Sequence, residues 1–125
     1  MPARLRPAPA VDVAGAWSVV RRQRGAGDDA ETEAAMRLLT KHYLAVLAAR
    51  APGHSVEVRV PPYAVVQCLG GSRHTRGTPP AVVETDGVTW LALACGELSW
   101  TAAVDSGRVQ ASGERSDLGP LLPLT

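Results

Sequence analysis

The chain has 125 residues, 46% hydrophobic and 20% charged, which sets one packed globular unit as the expectation and excludes a multidomain reading. Thirteen Lys plus Arg against 12 Asp plus Glu leave a net charge of +1, so no global field gathers a polyanion, and nucleic acid is not expected as a partner. No apolar run approaches the roughly 20 residues of a bilayer span, and Met1-Pro2-Ala3-Arg4-Leu5-Arg6-Pro7 lacks the apolar stretch of a secretory signal, so a cytoplasmic chain without a transmembrane segment is expected.

Lys41 is the single lysine among the basic residues, and Phe is absent. The core must therefore be built from Val, Leu and Ala, which fill space less completely than aromatic rings and permit an internal cavity. Residues 1–27 read as an N-terminal arm with one short helix over 12–24, capped by Asp12, and 28–125 read as the domain proper. In that first helix Val13, Ala16, Trp17 and Val20 share a face, and Arg21, Arg22 and Arg24 collect at its far end. Cations there complement the helix dipole; contact with an anion or a membrane surface is the alternative.

A long helix over 29–51 follows, with Asp28 and Glu31 spaced as a capping box and Pro52-Gly53 as its stop. Its apolar stripe takes in Ala35, Leu38, Leu39, His42, Val46 and Leu47. The period then changes from 3.6 to 2. Ser55 to Val60 alternates valine with charge, Tyr63 to Leu69 gives a second strand, Ala81 to Thr85 a third and Arg108 to Ser112 a fourth. Between the last two, Asp86 caps a helix ending at Gly96 and Ser99 caps another ending at Gly107. Asp117 opens a last short helix carrying Leu118, Leu121 and Leu122.

Catalytic chemistry leaves little trace. No serine sits in a nucleophile elbow, no phosphate-binding glycine loop exists, and no nucleotide or other cofactor is implied. Cys68 and Cys95 lack metal or redox spacing and read as buried free thiols, while His42 lacks a second ligand at helical spacing, so no metal site is expected. The densest polar chemistry is Arg73-His74-Thr75-Arg76-Gly77-Thr78, with Glu84 and Asp86 close behind. Arg73, His74 and Arg76 suit a carboxylate or phosphate head group; a charged hairpin paired with Glu84 or Asp86 is the structural alternative. An acid and base pair formed by His74 with one of those carboxylates is a further, enzymatic alternative.

From Glu33 to Leu124 the chain resembles the bacterial branch of the sterol carrier protein family, a small lipid-binding domain. The resemblance rests on Ser55-Val56-Glu57-Val58-Arg59-Val60-Pro61-Pro62, on Arg73 to Pro80, and on Val83-Glu84-Thr85-Asp86. It continues through Trp90-Leu91, Gly96, Leu98-Ser99-Trp100, Ala103-Val104 and Ser106 to Gly113. Gly87 stands where this branch is expected to carry proline. The resemblance implies an α+β fold with a curved, five-stranded, mostly antiparallel sheet, helices on one face, and an apolar tunnel between the two layers. Leu91, Trp100, Val104, Leu118, Leu121 and Leu122, from three short helices that must cover the sheet, are the expected lining. The expected function is non-catalytic carriage of a fatty acyl or sterol-like molecule, with exchange past the C-terminal helix. The alternative is a closed-core module of the same fold that serves a partner protein.

Overall fold

The computed structural model describes residues 5–22, 29–70, 81–113 and 116–125. Helix α1 spans Ala10–Arg22, starting two residues earlier than expected. The amides of Asp12 and Val13 both donate to the Pro9 carbonyl, at 3.0 and 3.1 Å, so Asp12 lies inside the first turn instead of capping it. Helix α2 spans Ala30–Arg50. Its cap is Asp29, whose carboxylate accepts the Thr32 N–H at 2.7 Å, a bond that holds the Asp29 carboxyl below the ordinary range. Asp28, expected in that role, lies outside the described residues.

Strands β1 (Val56–Val60), β2 (Ala64–Cys68), β3 (Ala81–Thr85) and β4 (Val109–Ser112) form one sheet in the order β2-β1-β3-β4. The outer pairs are antiparallel and β1 runs parallel to β3. Among the described residues the strand count is therefore four, not the five that the resemblance implies, and only four segments of the sequence alternate with period 2. In register, Val56 and Val58 of β1 face Ala81 and Val83 of β3, and these side chains are buried on one side of the sheet. Glu57 and Arg59, which form an ion pair, Gln67 and Glu84 occupy the opposite, more polar side.

Helices α3 (Gly87–Cys95) and α4 (Trp100–Asp105) lie between β3 and β4 in the chain, and both begin where the capping residues predict. Asp86 accepts the Thr89 N–H at 2.8 Å and Ser99 accepts the Ala102 N–H at 3.1 Å. Gly96, at φ 85°, provides the left-handed residue that ends α3. Gly87 is buried, and a Cβ there would meet Tyr63 Cε2 at 2.9 Å and Met36 Cε at 3.1 Å. Glycine in place of the expected proline thus lets the β1–β2 turn and α2 close against the start of α3. The last helix is a single 3₁₀ turn, Gly119–Leu121, with Asp117 accepting the Gly119 N–H at 2.8 Å ahead of it.

One apolar cluster joins α2, the valine side of the sheet and α3. On α2 the buried residues are Met36, Leu39, Thr40, Tyr43, Leu44 and Leu47 with Ala35 and Ala45, whereas Leu38, His42 and Val46 are half-buried. The stripe is rotated from its expected centre because α2 is covered twice, by the sheet and α3 on one side and by α1 on the other.

Candidate functional site

The expected lining residues divide by position. Leu91 and Leu118 are buried in the core, while Trp100, Leu121 and Leu122 are half-buried and pack against it. Val104 is 37% exposed and is not part of that cluster. Trp100 lies against the 3₁₀ turn, since a Cβ on Gly119 would stand 3.4 Å from its Cδ1. Five of the six thus belong to the general apolar core, and of these Trp100 lies against the C-terminal segment.

That segment is held by a device the sequence pattern does not announce. The Leu124 N–H donates to the Ala94 carbonyl of α3 at 2.8 Å, and the Arg50 guanidinium at the end of α2 donates to the carbonyls of Leu124 at 3.0 Å and Pro123 at 3.5 Å. An arginine in the last turn of a helix reads as complementing the dipole; only the fold shows that it also grips a chain end 74 residues away. In the core, Trp90, with no exposed surface, donates its indole N–H to the Thr40 carbonyl at 3.3 Å. The buried Thr40 hydroxyl has no hydrogen-bond partner among the described residues.

On the other side of α2, residues of the arm and α1 form a second set of contacts. The Ala8 N–H donates to His42 Nδ1 at 2.8 Å, and the Trp17 indole N–H donates to the Tyr43 hydroxyl at 2.9 Å. Burial pushes the His42 pKa down, which favours the neutral ring that this acceptor role requires. Two open grooves flank the Ala8–His42 bond. One, of about 380 Å³, is lined by Arg6, Ala8, Ala34, Arg37, Leu38, Lys41 and His42. The other, of about 580 Å³, runs along Val13, Trp17 and Arg21 of α1. None of the six expected lining residues borders either groove.

Arg73, His74 and Arg76 lie outside the described residues. Of the carboxylates considered with them, Glu84 is on the polar side of the sheet, and Asp86 is engaged as a cap by both the N–H and the hydroxyl of Thr89. Cys68 is buried and its thiol is pushed up to about 11 by burial, so it stays protonated and inert near neutrality; Cys95 is half-buried, with its sulfur 3.7 Å from the Ala92 carbonyl. Among the described residues no group of three or more His, Cys, Asp or Glu could hold a metal ion, and no helix is long and apolar enough to cross a membrane.

No curated protein matches the chain. The profile of the family described as bacterial SCP ortholog, where SCP is sterol carrier protein, matches residues 30–124, from the first residue of α2 to the segment held by Arg50. The chain belongs to that bacterial sterol carrier protein family.

Proposed function

We propose that the protein is a non-catalytic carrier of an apolar small molecule, a fatty acyl or sterol-like lipid, bound between the sheet and its helices. The observation that carries this reading is the family match across residues 30–124. The geometry supports a route of exchange. Leu118, Leu121 and Leu122 form the apolar underside of a C-terminal segment whose secondary structure is one 3₁₀ turn, tied by Arg50 and by the Ala94 carbonyl. Lifting that segment frees the side of Trp100 that lies against Gly119 without breaking any ladder of the sheet, as expected of an element drawn from the low-stability end of a fold. Hydrophobic burial provides the affinity, roughly 25 cal/mol per Å² of apolar surface. The unpartnered Thr40 hydroxyl is the polar group available to orient a ligand.

A second reading, a closed module of the same fold that serves a partner protein, is favoured by the fully buried Trp90, Leu93 and Leu118, which fill the space beneath the helices. Titration with a fluorescent fatty acid separates the two. The carrier reading predicts saturable uptake that Leu121→Arg weakens about tenfold or more, roughly 1.4 kcal/mol, while far-ultraviolet circular dichroism is unchanged. Absence of uptake favours the closed module, and uptake indifferent to Leu121→Arg argues against this exit.

A further inference from the structure

The seam between the arm and α2 carries chemistry that the interior reading leaves unused. On α2, Ala34, Arg37, Leu38 and Lys41 follow at i, i+3, i+4 and i+7 and share one face, placing two like charges one turn apart in an unfavourable spacing. Arg6 of the arm joins them around the same groove, and Arg21 borders the groove beside it. The chain as a whole is nearly neutral, yet no carboxylate lines either groove, and among the described residues none of these four cations forms an ion pair. Arg37 lies over the Tyr63 ring, 5.5 Å from its centroid, and Arg21 over Trp17 at 4.9 Å. Stacking on a ring face positions a guanidinium while leaving its N–H edge available to an anion.

The floor between these cations is apolar, formed by Ala8, Ala34 and Leu38, and the groove's volume of about 380 Å³ falls in the range of small-molecule sites, about 300–1,000 Å³. We propose that the seam is a binding site for an alkyl carboxylate, with the head group on Arg37, Lys41 and Arg6 and the chain along Ala8, Ala34 and Leu38. An uncharged amphiphile would leave the cations unmatched, and a compact polyanion would leave the apolar floor wet. The site is distinct from the interior one: it shares none of the six interior lining residues, and one of its walls is the arm, which precedes the family match.

Calorimetric titration of the full chain with dodecanoate below its micelle concentration tests the proposal, with dodecanol as the uncharged control. The site predicts dodecanoate binding about tenfold or more tighter than dodecanol, and a comparable loss in Arg37→Glu/Lys41→Glu, as expected for charge-assisted contacts. Dodecanoate should shift the resonance of the Ala8 N–H, which lines the groove and donates to His42, and the affinity read from that shift, which reports the seam and not the interior, should stay within about twofold in Leu121→Arg. Should the reversed variant fail to fold, Arg37→Gln/Lys41→Gln gives the same reading with a gentler change. An Ala8 shift that dodecanol reproduces at equal affinity, one that survives loss of both charges, or no shift in the unaltered chain overturns the proposal. An Ala8 shift lost in Leu121→Arg but kept in the charge variants also overturns it, while calorimetric uptake lost only in Leu121→Arg sustains the interior carrier reading.

Discussion

The two long sides of α2 are closed by different means. Towards the sheet, Leu39, Leu44 and Leu47 share a cluster with Val56, Val58, Val60, Trp90 and Leu93, and all eight are buried completely or nearly so. Towards α1 the cover is a single helix and a short extended arm, fastened by Ala8 to His42 and Trp17 to Tyr43, and both grooves lie there. A sheet with alternating valines presents a broad surface that a helix can seal, whereas a 13-residue helix offers one stripe and leaves open margins. The same helix is thus dry on one side and grooved, with cations at the margin, on the other.

Three changes sharpen that contrast. Trp90→Ala on the dry side should cost about 3–5 kcal/mol in urea unfolding, the range for emptying a packed aromatic site. A cost below roughly 2 kcal/mol would mean that this side is loosely filled, and would break the contrast. Trp17→Phe on the grooved side keeps most of the ring and removes the indole N–H that the Tyr43 hydroxyl accepts, so about 1 kcal/mol is expected in the same assay.

The smallest effect is that of pH on the arm. Burial lowers the His42 pKa, so between the lowered folded value and the ordinary value of about 6.5 the unfolded chain binds more protons than the folded one. The contribution is complete above that window and is lost as pH falls through it. Thermal melts at pH 7.5 and 5.0 should show a larger acid loss for the unaltered chain than for His42→Gln; equal losses would contradict the role given to the Ala8–His42 bond.

What is legible in the sequence follows from how local its cause is. The caps Asp86 and Ser99, the stop at Gly96 and the valine alternation of β1 each act within a few residues, and α3, α4 and the four strands are readable from them. The start of α1 is less so, because a backbone carbonyl, that of Pro9, does what Asp12 has the side chain to do. The seam is illegible for a related reason. Ala8 contributes a main-chain N–H, which no residue pattern encodes, to a histidine 34 residues away that reads as one more member of an apolar stripe. Arg50 is visible as a helix-end cation, but its grip on Pro123 and Leu124 exists only once the chain has folded back. Five of the six residues expected to line the tunnel belong to the general core cluster, whereas Val104, exposed on a helix of only six residues, shows the limit of assigning a face from so short a period.

The central claim is that the family fold here holds an apolar ligand. Native mass spectrometry of gently purified protein, followed by denaturing analysis of whatever is released, tests it most directly. The account predicts a reproducible adduct of lipid mass that denaturation releases as a fatty acyl or sterol-like molecule; a bare protein mass, with no uptake of added fatty acid, would contradict it.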